Sequence, residues 1–428
     1  MLDQRTPRAA WVIYIAAASA YFMAVVNRTA LGVAGVQASE RFGLEATGLA
    51  MLSVAQIAAY AALQIPGGRL MDRFGARTVM TAGLAVMALG QTMLAFVHEP
   101  ALVLLARVLI GAGDAPIFIG ATRVVGLWFP PRRAPMMIQV TGLIGQTGQL
   151  ASAIPVAALL HAAGWSVAFA TLGAVTVAVG LVAGFGLRAP TDESAVVVAE
   201  RMWPALRATT RVAGTRLGFW SHFVTPFGAN VLTLLWGVPF FVTAQEKSPA
   251  QASLLLTCLT LSAIASGPLI GWYSGRHPFR RSWLVLGSAV LTLAAFAALL
   301  AFDTPRPMWQ LVVFVIAVGI GGPTSVVGLD LARTFSERHR LGTASGFVNV
   351  GGFAATIIGV LAVGAVLQLT SEPGATVYTL DEYRLAFAVL IVPWIAGVIG
   401  VLASRRRARA DLAAAGVEIP SRRPPRTR

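Results

Sequence analysis

Charge is what this sequence has least of. Asp, Glu, Lys and Arg make up 12% of its 428 residues, about half of the ~25% usual in a soluble domain. A surface that poor in ions excludes an ordinary water-soluble globule. Cysteine is nearly absent: Cys258 stands alone inside an apolar run, which excludes a disulfide framework and any cysteine metal centre. The five histidines, His98, His161, His222, His277 and His339, form no metal or nucleophile pattern, and four lie at or near expected loop ends. No phosphate-binding loop is present, so ATP hydrolysis is not expected to drive anything here. The chain does not read as an enzyme, and no cofactor or metal is expected. Acidic residues number 18 against 33 basic ones, a formal balance of +15. In a soluble protein that excess would suggest nucleic acid; in this composition it reads as arginine holding loops on one side of a membrane, and no nucleic-acid partner is expected.

What the sequence has in abundance is apolar length. Hydrophobic residues make up 56% and the mean hydropathy is +0.72. Runs of about 20 apolar residues recur along the whole chain, the length of a spanning helix and not of a barrel strand. Twelve spans are expected, at 10–36, 47–67, 78–97, 101–128, 136–160, 167–187, 217–244, 252–273, 282–302, 308–332, 341–369 and 384–403. The fold class is therefore an all-α integral membrane protein in the lipid bilayer, with two six-helix halves. The expected domains are an N-terminal bundle (1–187), a polar arginine-rich linker (188–216) containing Thr191-Asp-Glu-Ser, a C-terminal bundle (217–403) and a basic tail (404–428), read as disordered. The short polar start, Met1 to Pro7, runs straight into Trp11-Val-Ile-Tyr-Ile and reads as the beginning of the first helix, not as a cleaved signal. With both termini inside, 26 of the 33 basic residues fall on the cytoplasmic side and four outside, leaving Arg28, Arg107 and Arg123 in the membrane; the positive-inside rule fixes that orientation. The arginine-rich composition points to a bacterial inner membrane, and a monomer is expected.

The fourth span carries the chemistry. It reads Leu104-Leu-Ala-Arg107-Val-Leu-Ile-Gly-Ala-Gly-Asp114-Ala-Pro-Ile-Phe-Ile-Gly-Ala-Thr-Arg123, apolar enough to cross yet holding three ions. Each ion at bilayer depth costs ~2.5–3.5 kcal/mol on insertion scales, so such residues mark solute or proton paths. Arg107 and Asp114 are two turns apart and share a face. In the first span Asn27 and Arg28 stand in the outer half, with Arg28 at a depth similar to Arg107. A guanidinium offers a fork suited to a carboxylate. Asp114 can pair with an arginine while the site is empty and hold a proton in another state. The plainer alternative is that Arg107 and Asp114 are a neutral pair that only ties helices together. Arg123, nearer the inner mouth, suits a gate or snorkelling as well as substrate contact.

Between the second and third spans stands Gly68-Arg-Leu-Met-Asp72-Arg73-Phe-Gly75-Ala-Arg77. It resembles, at every defined position, the Gly-x-x-x-Asp-Arg-x-Gly-x-Arg loop of the major facilitator superfamily. The resemblance implies a twelve-helix carrier of two halves, in which Asp72 and the arginines latch helix ends in one of two alternating conformations. The arginine of the first span, the Arg107-x6-Asp114 pair and the run Asp114-Ala-Pro-Ile-Phe…Arg123…Trp128-Phe-Pro further resemble the anion:cation symporter branch. That implies Arg28 and Arg107 meeting a substrate carboxylate and Asp114 coupling a proton, so the expected partners are a small organic anion and protons. Two departures stand out: Asp114 occupies a glutamate position, and Asn27 a position where many bacterial members carry aspartate.

Weaker polar candidates line the expected cavity. Gln56, Tyr60 and Gln64 recur every four residues in the second span; Gln139, Gln146 and Gln149 share a face of the fifth; Asn230 and Trp236 lie in the seventh and Asn349 in the eleventh. Asp330 and Arg333 read as a gate pair. Ala121-Thr-Arg-Val-Val-Gly-Leu127 matches Pro323-Thr-Ser-Val-Val-Gly-Leu329, and the loop Gly68–Arg77 has a degraded copy at Gly271–Arg281, both at offsets close to 202 residues. That offset puts Trp309, Ile316 and Ser325 where the first half has Arg107, Asp114 and Arg123, confining charge chemistry to the first half. The competing functions are a proton-driven efflux antiporter, a carrier of zwitterions such as short peptides, and a non-transporting receptor or scaffold. The lone Pro155 in the fifth span, without the Gly-Pro antiporter signature, speaks against the first.

Overall fold

A computed structural model describes residues 8–42, 46–188, 201–372 and 378–417. The described residues are helices and connections, with no strand among them. Among the described residues ten stretches are long and apolar enough to cross a membrane, and the twelve expected spans all fall on helical segments. The difference in number is one of turns. Gln64–Phe96 runs on without a loop but leaves helical geometry at Gly75 (φ 76°, ψ 165°), and the 53-residue run Ala134–Gly186 does so at Gly164 (φ 78°, ψ 177°). Each of these single glycines breaks the helix between two spans. The expected loop at Gly68–Arg77 is accordingly a correction: residues 64–74 are helical, and only Gly75 makes the turn. The second span is a shorter apolar helix, Ala46–Ala62, that breaks at Leu63 and resumes at Gln64.

The chain divides into two compact units. One comprises Met1–Thr209 with Glu337–Phe347, the other Thr210–Ser336 with Val348–Arg428. In the first unit the helices pack through small residues, as they must where lipid gives no hydrophobic drive for helices to associate. Gly83 and Gly113 face each other so closely that a Cβ on either would meet the other's carbonyl oxygen. This draws Pro100–Trp128 against Gln64–Phe96 and fixes the depth of Asp114, the next residue. Gly111 likewise lies against the Gln56 carbonyl of Ala46–Ala62. Met71, Met80, Leu84, Met87 and Ile117 fill the space between.

The second unit is held instead by aromatic rings: Phe227, Phe240, Phe296, Tyr383, Phe387 and Trp394 are buried together, with Phe240–Phe387 centroids 4.9 Å apart and Phe296–Trp394 5.2 Å. Its first helix starts at Ala213, four residues inside the expected linker, and another helix, Met202–Arg211, lies upstream; Thr191-Asp-Glu-Ser is outside the described residues. The last helix, Ile391–Ala414, continues past the expected end at 403, so the first part of the basic tail is helical and not disordered. Residues 418–428 lie outside the described residues.

The repeat offset also needs correction. Trp309 is 65% exposed and Ile316 43%, while their neighbour Val315 is fully buried. The helix that starts at Met308 is interrupted at Ile320 and Val326, where Gly319, Gly321 and Gly322 precede Pro323, a residue with no N–H for the ladder. The exposed Trp309 and Ile316 do not share the burial of Arg107 and Asp114, which the offset of 202 residues pairs them with.

Gly164 has a backbone conformation that is essentially reserved for glycine and costs a side chain of order 1–3 kcal/mol. Gly164→Ala is expected to lower the unfolding temperature of the purified protein in detergent. Gly142→Ala, with open space around its Cβ, should leave it unchanged.

Candidate functional site

Helix Arg8–Val33 brings Arg28 across to Asp114 of Pro100–Trp128, and the two form a bidentate pair. Arg28 Nε donates to Asp114 Oδ2 at 2.6 Å and Nη2 to Oδ1 at 3.0 Å. The carboxylate is 1% exposed, whereas the arginine side chain is 29% exposed, so the pair has one closed end and one open end. The guanidinium also lies over the Tyr60 ring, 4.6 Å from its centroid, a placement in which the ring's negative face meets the cation. Asp114 thus pairs with Arg28 of another helix, and the alternative pairing with Arg107 is not made. Arg107 is 2% exposed, and its Nε and Nη1 have no hydrogen-bond partner. Gln56, 1% exposed, has neither side-chain polar atom bonded.

Asn27, next to Arg28 in sequence, points elsewhere. Its amide donates to the Met23 carbonyl (2.7 Å) and to Thr176 (3.0 Å), so it joins two helices and is not brought to the ion pair. Gln64 is fully buried and donates weakly to the Tyr60 and Ala115 carbonyls at 3.4 Å. Gln146 is half-buried on Ala134–Ala151, and no contact joins it to Arg28 or Asp114. On the same helical run Gln139 is buried and Gln149 exposed. Two neighbours went unremarked in the sequence. Tyr21 lies two turns before Arg28, stacks on Phe118 at 4.8 Å and is close enough to interact with Arg28, Tyr60 and Asp114; its spacing of seven from Arg28 was the available signal. Ser152 opens a π-helical turn, Ser152–Val156, around Pro155 and bonds Thr29 at 2.7 Å.

Toward the arginine-rich end of the same unit Asp72 is the centre of a second cluster. Arg123 Nη1 donates to its Oδ1 at 2.7 Å, with the two side chains 8% and 0% exposed. Gly342 N–H donates to the same oxygen, and Thr343 donates to Oδ2 through both its N–H (2.7 Å) and its hydroxyl (2.6 Å). Asp72 therefore holds the start of helix Leu341–Thr370, and the close approach is possible because Gly68 and Gly342 lie face to face without side chains. The arginines beside it in sequence do not take part: Arg73 lies over Phe74 at 5.0 Å, and Arg73 and Arg77 are both exposed. The pairing expected within the motif is instead made with Arg123, 51 residues away.

In the second unit Asp330 pairs with Arg333 at 2.8 Å, as expected, and also with Arg281 at 2.8 Å, while Ser274 donates to it at 3.0 Å. Asn230 donates to Thr356 at 2.9 Å and Trp236 to the Val360 carbonyl at 3.0 Å. Asn349 is buried and bonds His222, whose Nδ1 lies 2.9 Å from the Ser325 carbonyl. Since a carbonyl only accepts, Nδ1 carries the proton. These residues tie helices together within the unit. Among the described residues no group of three metal-ligating side chains occurs.

The family model of the Major Facilitator Superfamily matches residues 17–245 and again 218–425. The chain belongs to this superfamily. It is a multi-pass membrane transporter and not an enzyme. It is 24% identical over 370 residues to a probable sulfoacetate transporter of Cupriavidus necator, covering 82% of this chain and 86% of that protein. It is 22% identical over 392 residues to a probable galactarate/D-glucarate transporter of Escherichia coli, covering 82% and 86%. The fold matches a crystal structure of the superfamily transporter FucP in the outward conformation with a TM-score of 0.69 at 17% identity, covering 91% of this chain and 99% of that one. In a superfamily transporter the Asp72 cluster lies at the signature motif and the Arg28–Asp114 pair within the spans.

Breaking one partner of a buried ion pair leaves the other uncompensated, at a cost of about 3–5 kcal/mol. Asp72→Asn is therefore expected to lower the thermal unfolding midpoint in detergent. Adding Arg123→Gln should recover part of the loss, and a double variant no more stable than Asp72→Asn would mean the pair is not coupled.

Proposed function

We propose that this chain moves a small organic anion by proton-coupled symport and alternating access. It acts as a monomer in a bacterial inner membrane with both termini cytoplasmic. The observation that carries the reading is the bidentate Arg28–Asp114 pair, closed on the acid side and open on the arginine side. A substrate carboxylate or sulfonate presents the same two-oxygen edge as Asp114, so it competes for the same guanidinium fork. When the substrate takes Arg28, Asp114 is left as a buried carboxylate without its cation. Holding that charge uncompensated costs several kcal/mol; accepting a proton removes it. Substrate binding and proton binding are thereby linked through one arginine. When the substrate leaves and Arg28 returns to Asp114, the proton is released.

The relatives add support, since the proteins similar over most of this chain are named as transporters of acids: sulfoacetate and galactarate or D-glucarate. Tyr60 sits under Arg28 and keeps the guanidinium in place when its carboxylate partner changes. Asp72 with Arg123, Gly342 and Thr343 serves as the latch of one conformation, and Asp330 with Arg281 and Arg333 as a gate cluster in the other unit. Arg73 and Arg77, both exposed, serve the positive-inside orientation.

Counterflow in proteoliposomes tests the reading, with a panel of carboxylates, sugar acids and sulfonates and with or without an inward proton gradient. At least one anion is expected to exchange in the wild type. Arg28→Ala should abolish exchange, and Asp114→Asn should retain exchange but lose gradient-driven accumulation. If no anion exchanges, and cationic or neutral lipophilic compounds instead leave cells in a proton-dependent way, the chain is an exporter and the proposal fails.

A further inference from the structure

We infer that the substrate of this site is a dianion, with its second acidic group taken by Arg107 together with Gln56. The inference rests on the anion-carrier reading above and goes beyond it by fixing the charge class of the solute. Its starting point is an unpaid electrostatic debt. Arg107 is 2% exposed, and its Nε and Nη1 face no acceptor. The acid on the same helix face, Asp114, has both oxygens committed to Arg28. A buried ion without a partner costs several kcal/mol, and a guanidinium keeps its charge where a lysine or histidine would shed it. A structural arginine at this depth would have its counter-charge built in, as Arg123 has Asp72 and Arg281 has Asp330. Arg107 has none among the described residues, so its partner is to be supplied from outside.

Gln56 marks the same place. Its backbone carbonyl lies against Gly111, one turn from Arg107 along Pro100–Trp128 and just short of Asp114. Its Nε2 and Oε1 are both buried and unbonded. Two helices thus present orphaned donors at one level, next to the level of the Arg28–Asp114 pair. Arg107 and Asp114 stand seven residues apart, ~10.5 Å along the axis. The solute's two acidic groups would bridge that separation from Arg28, which sits on Asp114, to Arg107. Gln56 adds an N–H for a carboxylate or sulfonate oxygen and an acceptor for a neighbouring hydroxyl.

Charge balance points the same way. In the loaded state Asp114 has taken a proton and is neutral, leaving Arg28 and Arg107 with two positive charges. A monoanion would leave one of them uncompensated in the membrane; a dianion leaves none. The proton that arrives with the solute and the solute's second negative charge are therefore a matched set.

The test is counterflow competition in proteoliposomes containing the full chain. Each dicarboxylate or sulfocarboxylate in the panel is paired with its monoamide, which keeps the shape and removes one charge. Wild type is expected to prefer the dianion of a transported pair by tenfold or more. Arg107→Gln should bring that ratio close to one by weakening the dianion and leaving its monoamide within about twofold. Arg107→Lys should restore part of the preference, and Gln56→Leu should reduce it less than Arg107→Gln. Thermal stabilisation of each purified variant by the same two compounds reads binding without transport and shows that the variants are folded. Monoamides exchanging as well as diacids in the wild type would overturn the proposal while leaving the anion-carrier reading intact. So would Arg107→Gln lowering both compounds equally. If no anion of either charge exchanges, or Arg28→Ala changes nothing, the anion-carrier reading fails, and this proposal with it.

Discussion

A bilayer interior offers ions no water, so each charge placed there must be answered by another charge or by a solute. The arrangement of the first unit follows from that requirement. Asp114 and Arg28 answer each other across two helices, Arg123 and Asp72 answer each other at the arginine-rich end, and Arg107 Nε and Nη1 are answered by no group among the described residues. The backbone serves these pairings. Gly83 and Gly113 let two helices touch so that Asp114 arrives at the depth of Arg28, and Gly111 brings Gln56 to the level between Asp114 and Arg107. Packing through glycine and methionine in this unit, against the aromatic interior of the other, belongs to the same logic. The first unit carries the buried ions of the spans, and its helices approach closely enough to position them.

Much of this was legible in the sequence. Spans of apolar residues and the Gly68–Arg77 motif are written in local composition, and the family assignment bears out the superfamily that they implied. The identity of the ions in the spans was equally plain. Their partners were not. Arg107 and Asp114 share a helix face, but side chains on one helix meet at a spacing of three or four, and a spacing of seven is too far. Asp114 therefore looks to another helix, and no local pattern says which. Asn27 shows the same limit from the other side: adjacent to Arg28, it is turned about 100° around the helix and meets Thr176 instead.

Two further differences have equally concrete causes. The motif arginines Arg73 and Arg77 looked like the natural partners of Asp72, yet both lie on the exposed side of the chain near the turn at Gly75, while Arg123 arrives from the inside. The positions that a single offset of 202 residues matches to Arg107 and Asp114, Trp309 and Ile316, are exposed where the two ions are buried. Periodicity reads a continuous helix well and loses phase wherever the helix stops and restarts.

The Asp72 cluster also gathers many contacts onto one side chain. Four donors, from Arg123, Gly342 and twice from Thr343, converge on only two oxygen atoms. All four bonds share one carboxylate, so the hold on the helix that begins at Leu341 hangs on the rotamer of a single residue.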